Sequence, residues 1–150
     1  MKVKIGWVVM AIVLLSIPQY AGAASALEKQ GFVNGLSGEN YSFVADQTSP
    51  YKVTLTDLMF PARFDYLGAL INQSDNPLAK LEISPSTANR MTATFDAELG
   101  KTYWANVLGQ AAEPPGVGLF RIEITAVPVP PAVLLLGSGL LALFALKRKS

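Results

Sequence analysis

The amino-acid sequence predicts an all-β fold over residues 27–126, a small antiparallel β-sandwich of jelly-roll-like form. Three observations predict it. Apolar and polar residues alternate with a period of two over short runs, which is typical of strands that bury one face. Turn-forming residues separate these runs. Threonine and aromatic residues, which favour strands, are frequent within them.

Six such runs follow one another along the chain. They comprise residues 41–43, 51–56, 79–83, 91–96, 103–108 and 120–125. The segment 64–72 is ambiguous between a strand and a short helix. Turn-like sequences occupy residues 49–50, 74–77, 84–86, 100–101 and 114–116. This spacing predicts six to eight short strands in a domain of about 100 residues.

The composition excludes several kinds of active site. The 150 residues include no histidine and no cysteine. The chain therefore cannot build a Ser-His-Asp triad, an imidazole base or a histidine-ligated metal site. A thiol nucleophile, a cysteine zinc site and a disulfide are excluded for the same reason. No cofactor is expected.

Charge is distributed unevenly, although 12 basic and 11 acidic residues sum to only +1. Five bases lie in the terminal segments, where there is no acid: Lys2, Lys4, Lys147, Arg148 and Lys149. The other 7 bases and all 11 acids lie in residues 27–126, which therefore carry −4. An acidic domain repels phosphate groups, so nucleic acid is not an expected partner.

Residues 1–26 are typical of a secretory signal peptide. Two lysines precede 13 uncharged, mainly apolar residues, 5–17, and small residues then offer cleavage sites after Ala23 and after Ala26. The alternative is a permanent N-terminal anchor, but the apolar run is short for a bilayer span of about 20 residues. We therefore expect that the chain is exported and that this end forms a signal helix.

The C-terminal residues, 127–150, have three parts. A proline-rich segment, 127–131, precedes 15 uncharged residues, 132–146, and a basic tail, 147–150. As a helix the middle part is about 22 Å long, somewhat less than a hydrocarbon core of roughly 30 Å. It predicts a transmembrane helix whose basic tail stays in the cytoplasm. The acidic domain then lies on the outer side of the inner membrane.

This three-part end resembles the PEP-CTERM class of sorting signals, in its V-P-x-P-A variant. The matching residues are Val127, Pro128, Pro130, Gly137, Ser138, Gly139, Lys147, Arg148 and Lys149. The sequence departs from the pattern at Val129, which replaces Glu, and at an extra Pro131.

The resemblance implies that an exosortase, an integral-membrane processing enzyme, cuts the tail near the prolines. It also implies a Gram-negative host that makes exopolysaccharide or biofilm, and release of the domain to the cell surface or matrix. The alternative is a plain single-span anchor.

The middle domain loosely resembles the bacterial pre-peptidase C-terminal (PPC-like) domains of exported proteins. The segments that carry the resemblance are 41–45, 51–55, 94–97, 100–104 and 118–122. The resemblance implies a jelly-roll sandwich.

Carboxylates are the only catalytic material that the domain offers. Asp57 and Asp65 flank an apolar segment and could share one cleft, as the two carboxylates of a glycoside hydrolase do. Their spacing is not specific, and turn or strand-end acids are the simpler interpretation. The sequence therefore predicts no enzyme.

Oxygen ligands for calcium are also present. Asp75 and Asn76 lie in a turn, and Asp46 or Glu39 could complete a site. No D-x-D-x-D-G loop accompanies them, and such residues stabilise turns without a metal. No metal site is predicted.

Aromatic and amide side chains suggest a possible sugar-binding surface. Tyr103, Trp104 and Asn106 are the candidates, with Tyr66 and Arg63 as possible neighbours. Aromatic faces stack on sugar rings and amides bond their hydroxyls. In the competing interpretation, Tyr103 fills the core and Trp104 covers the other face as ordinary packing.

The leading hypothesis is thus a noncatalytic exported protein of the envelope or extracellular matrix. Its role would be structural or adhesive, linked to exopolysaccharide or biofilm. The alternatives are a lectin-like carbohydrate-binding module and a permanently membrane-anchored periplasmic domain.

Overall fold

Eight β-strands make up residues 25–128, the part of the chain that the computed structural model describes. They are β1 (Ser25–Asn34), β2 (Leu36–Val44), β3 (Ser49–Pro61), β4 (Phe64–Gln73), β5 (Asn76–Ile83), β6 (Arg90–Ala97), β7 (Thr102–Ala111) and β8 (Val117–Ala126). The predicted signal helix and transmembrane helix lie outside the described residues. The described residues contain no helix that has the length and apolar character needed to cross a membrane.

The strands form two four-stranded sheets. Sheet A has the order β1-β8-β3-β6 and sheet B the order β2-β7-β4-β5. All pairs are antiparallel, and the first strand pairs with the last, the second with the seventh, the third with the sixth and the fourth with the fifth. This nested pairing is the jelly-roll arrangement. The all-β sandwich that the sequence predicts is confirmed for the described residues.

The segment that the sequence left ambiguous is strand β4. β1, by contrast, has no counterpart among the predicted runs, and it begins at Ser25, two residues before the predicted domain boundary. Leu27 and Val33 of β1 are buried, but between them, at positions that pair with buried residues of β8, stand Gly31 and the exposed Lys29. Because neither is a large apolar residue, the alternation that identifies a half-buried strand is broken there.

Gly31 makes room for an aromatic ring. A Cβ atom at this position would lie 2.1 Å from Cζ of Phe120, the residue that pairs with it on β8. The ring therefore lies across the glycine backbone and fills the space that a side chain would take. Such aromatic cover compensates for a glycine in an edge strand.

Four aromatic rings pack between the sheets at one end of the core. Tyr51 and Phe95 belong to sheet A, while Phe43 and Tyr103 belong to sheet B. Ring centroids within this cluster are 5.5–6.3 Å apart. These distances lie in the range favourable for aromatic pairs, so the cluster joins the two sheets.

The two phenols of this cluster also fix loops. The Tyr51 hydroxyl donates to the Asp46 carboxylate, and the Tyr103 hydroxyl accepts the N–H of Glu98 at 2.9 Å. Burial, followed by the Asp46 carboxylate, raises the pKa of Tyr51 above its usual value. Both phenols thus satisfy polar groups in the loops beside the chain ends.

The described chain begins and ends on the same side of the sandwich. Ser25 pairs with Thr125, and the N–H of Val127 donates to the carbonyl of Pro50 at 2.8 Å. We call this side the terminal end. The first residue of the proline motif is therefore still hydrogen-bonded to strand β3.

Candidate functional site

The outer face of sheet B carries a row of three carboxamides. Asn40 donates from Nδ2 to Oδ1 of Asn106, which in turn donates to Oδ1 of Asn72 at 2.7 Å. Asn72 donates onward to the carbonyl of Ser74 at 2.5 Å. These bonds fix the orientation of each amide. We refer to Asn40, Asn106 and Asn72 as the amide row.

Strand alternation and sheet order together build this row. Side chains at alternate positions of a strand point to one face, so Asn106 shares the outer face with Trp104 on β7. Asn40 lies opposite Asn106 on β2, and Asn72 lies opposite Trp104 on β4. Three strands that are distant in sequence therefore bring their asparagines together.

The residues predicted to bind sugar divide between the two faces of β7. Trp104 and Asn106 are half-buried on the outer face. Tyr103 is only 1% exposed and belongs to the core cluster, so its place among the sugar-binding residues is wrong. The reason is the period of two, which sends adjacent residues to opposite faces.

A shallow groove of about 300 Å³ lies beside the amide row on the same face. Its lining includes Tyr66, Gly68, Leu70, Lys80 and Leu108, with Asn106 shared with the row. Such a volume is at the lower end of the range for small-ligand sites. The structure therefore places an apolar depression next to hydrogen-bonding amides.

Gly68 and Tyr66 shape this groove. A Cβ atom at Gly68 would lie 2.4 Å from the Tyr66 hydroxyl, which shows that the phenol leans across the glycine. The hydroxyl reaches Glu82 only weakly, at 3.4 Å. Arg63 lies instead in the turn between β3 and β4, where its carbonyl accepts an N–H from Ala112. Tyr66 is thus a neighbour of the site and Arg63 is not among the groove residues.

The charges at the groove cancel. Lys80 and Glu82 on β5 form an ion pair of 2.8 Å, with both side chains exposed. The hydrogen bond between them raises the pKa of Lys80 and lowers that of Glu82. At neutral pH the pair presents no net charge to a ligand.

The two candidate catalytic carboxylates have different environments. Asp57 is buried, and its two oxygens accept the N–H groups of Met59 at 2.7 Å and Phe64 at 3.0 Å. Asp65 is exposed. Asp57 thus holds the turn between β3 and β4, the structural role that the sequence offered as the simpler interpretation.

The candidate calcium ligands are engaged or scattered. Asp46 accepts the Tyr51 hydroxyl, and Glu39 accepts both the Tyr41 hydroxyl and a backbone N–H of β1 at 3.0 Å. Burial, then the hydrogen bond to Glu39, raises the pKa of Tyr41 well above its usual value. Over residues 25–128, no group of three acidic residues is placed to hold a metal ion.

The proposed sorting motif is described only in part. Val127 and Pro128 are the two members within the described residues. The remaining members lie outside them: Pro130, Gly137, Ser138, Gly139, Lys147, Arg148 and Lys149.

The sequence did not single out Asn40 and Asn72 as part of a binding site. A usable signal was present for Asn40, because it alternates with the apolar pair Tyr41 and Phe43 and so belongs to an outward position. Asn72 ends the ambiguous segment and gave no such signal. Neither position reveals that the two amides meet, because this depends on the order of strands in sheet B.

Comparisons with known proteins give structural neighbours only. No model of a protein family matches the chain, and no curated protein matches it. One solved structure that is similar is the pre-peptidase C-terminal domain of a collagenase from Bacillus anthracis, with 14% identity and a TM-score of 0.46. The match covers 66% of this chain and 88% of that chain.

Two further structures match more distantly. A β-glucosidase from Kluyveromyces marxianus has 11% identity and a TM-score of 0.44, over 65% of this chain and 11% of that chain. PliG of Aeromonas hydrophila, a periplasmic inhibitor of g-type lysozyme, has 9% identity and a TM-score of 0.41, over 71% of this chain and 89% of that chain. The resemblance to PEP-CTERM signals stays a prediction.

Proposed function

We propose that this chain is an exported, noncatalytic protein of the envelope or extracellular matrix, with a structural or adhesive role linked to exopolysaccharide. Its C-terminal segment inserts in the inner membrane with the domain on the periplasmic side. An exosortase-type enzyme then processes it and releases the domain to the cell surface or matrix. The support is the order of proline motif, apolar segment and basic tail in residues 127–150.

Processing predicts a change of mass that depends on the sorting enzyme. In host cells that have the exosortase, we expect a mature chain that lacks the basic tail. In cells without it, the chain keeps Lys149 and stays in the membrane fraction. Mass spectrometry of fractionated cells measures both quantities. An intact tail in both strains contradicts the proposal.

A pair of proline variants sharpens this experiment. Replacing Pro128 and Pro130 with alanine removes the motif, and we expect the full-length chain to accumulate in membranes. Pro85→Ala is the matched control, because Pro85 is an exposed proline in the turn before β6. Equal processing of both variants would show that the prolines are not recognised.

The same spectra report the N-terminus of the mature chain. Strand β1 begins at Ser25, and Ala26 packs against the core. Cleavage after Ala23 leaves this strand complete, whereas cleavage after Ala26 removes its first two residues. We therefore propose Ala24 as the first residue of the exported form.

The second candidate function is carbohydrate binding by the outer face of sheet B. The observation that favours it is the amide row, which adjoins both the half-buried Trp104 and the apolar groove. Amides that are held in place can bond sugar hydroxyls with little loss of entropy, and an indole can stack on a sugar ring. This face is the binding surface that we propose for the polysaccharide contact.

Replacing Trp104 tests that surface. We expect Trp104→Ala to weaken retention on the host's own exopolysaccharide by about tenfold, because it removes the stacking face. Phe32→Ala is the matched control, since Phe32 is an exposed aromatic residue on the outer face of sheet A. A glycan array and a polysaccharide pull-down measure the effect. Equal retention of the two variants would reject sheet B as the binding face.

A further inference from the structure

Three outward side chains of β7 form a line across the proposed binding face. Trp104, Asn106 and Leu108 occupy alternate positions of this strand, in that order. At about 3.3 Å per residue, the line from Trp104 to Leu108 is about 13 Å long. An aromatic residue, one member of the amide row and one residue of the groove lining thus follow one another along a single strand. This length is on the scale of a short oligosaccharide.

The amide row has hydrogen-bond donors and acceptors that its own bonds do not use. A carboxamide has two N–H donors and an oxygen with two lone pairs. Asn106 donates once and accepts once within the row, whereas Asn72 accepts from Asn106 and donates to the carbonyl of Ser74. Each therefore retains one donor and one acceptor for a ligand. A sugar hydroxyl, which both donates and accepts a hydrogen bond, matches this remaining donor and acceptor.

The charge of the face excludes a strong preference for acidic sugars. On strands β2 and β7 none of the outward positions carries a charged residue, and the one charged residue of β4 is an acid, the exposed Asp65 at its start. Lys80, on β5, is paired with Glu82. A ligand carboxylate would therefore lose its hydration with no unpaired cation at the groove to replace it. The domain's net charge of −4 opposes an anionic chain further.

We infer that this face binds a neutral oligosaccharide of about three hexose units, which lies along β7. One terminal unit stacks on Trp104, the central unit bonds the amide row, and the third unit packs in the groove against Leu108. The inference rests on the proposed carbohydrate-binding function and specifies its ligand class.

Titration calorimetry with defined oligosaccharides tests the inference on the chain that keeps its C-terminal tail, purified in mild detergent from the membranes of host cells that lack the exosortase. The neutral probes are glucose oligomers of one to four units with β-1,4, β-1,3 or α-1,4 linkages. The anionic probes are galacturonic acid oligomers of the same lengths. We expect affinity for at least one neutral series to rise up to three units and then level off. Anionic oligomers bind at least tenfold more weakly at low salt.

Variants at the two ends of the line provide a second measurement. We expect Trp104→Ala to weaken the binding of the neutral disaccharide and trisaccharide by about tenfold. Trp104→Phe should restore most of this affinity. Leu108→Ala weakens the binding of the trisaccharide by about fivefold and leaves the affinity for the disaccharide unchanged. Leu99→Ala is the matched control, because Leu99 is an exposed leucine in the loop between β6 and β7. Thermal unfolding of each variant confirms that it is folded.

The outcomes separate this inference from the function beneath it. If galacturonic acid oligomers bind more tightly than neutral oligomers and this binding is lost in Trp104→Ala, the inference that the ligand is neutral is wrong. The proposal that this face binds carbohydrate then still stands. Equal affinity for one and three neutral units overturns the proposed length. If Leu108→Ala weakens dimer and trimer alike, the order of units along β7 is wrong. Failure of every glycan on the array, with the folded protein, rejects the binding function itself.

Discussion

Phe120→Ala is expected to lower the free energy of unfolding by about 3–5 kcal/mol, the usual cost of removing a buried aromatic ring. Phe120 is completely buried in β8, at the centre of sheet A. Its ring also covers Gly31 on the edge strand, so its loss exposes that backbone. Denaturant unfolding followed by the fluorescence of Trp104 measures the change. The other tryptophan, Trp7, lies in the predicted signal peptide.

Phe32→Ala is the matched control for this substitution. Phe32 is the same residue type, next to Gly31 in the chain, but its side chain is 53% exposed. We expect a loss below about 1 kcal/mol. Equal losses for Phe32→Ala and Phe120→Ala would contradict the placement of Phe120 in the core.

Gly31→Ala probes the same contact from the opposite strand. An added methyl group meets the Phe120 ring, so we expect a loss of about 1–3 kcal/mol from overpacking. We expect the double variant Gly31→Ala/Phe120→Leu to lose less stability than the sum of the losses of the two single variants. The reason is that the smaller leucine side chain leaves room for the added methyl group. Simple additivity would mean that the ring does not occupy the space above Gly31.

Asp57→Ala is expected to cost about 2–4 kcal/mol, because it leaves two backbone N–H groups without their acceptor. One of them, that of Phe64, is buried at the start of β4. Asp57→Asn keeps one side-chain acceptor and should cost less. Urea unfolding at neutral pH gives both values.

The neighbouring acid provides the control. Asp65 is exposed, and we expect Asp65→Ala to change the free energy of unfolding by no more than about 0.5 kcal/mol. If the two alanine variants lost equal stability, the carboxylate of Asp57 would not be what holds the β3–β4 turn.

The strands whose apolar residues alternate regularly could be predicted from the sequence. β8 is the clearest case, because Phe120, Ile122 and Ile124 are all buried and separated by partly exposed residues. β1 could not be predicted, since Gly31 and the exposed Lys29 stand between its buried residues Leu27 and Val33 and interrupt the apolar alternation. The ring that fills the space over Gly31 belongs to Phe120, which is 89 positions away in the sequence.

The candidate site was predictable only in part, for a similar reason. The period of two is a local property, so it identifies Trp104 and Asn106 as neighbours on one face. The amide row depends on pairs 66 and 34 residues apart in the sequence. Such contacts follow from the order of strands in a sheet, which alternation along one strand does not encode.

Strand β8 carries the C-terminal connection, and its position has a mechanical consequence. It is hydrogen-bonded to β1 on one side and to β3 on the other, over most of its length. Antiparallel hydrogen bonds lie perpendicular to the strands. A pull on Val127 along the axis of β8 therefore loads both ladders in shear, and the bonds share the force instead of opening one at a time. Tension applied at this end of the described chain is therefore carried by a central strand of sheet A.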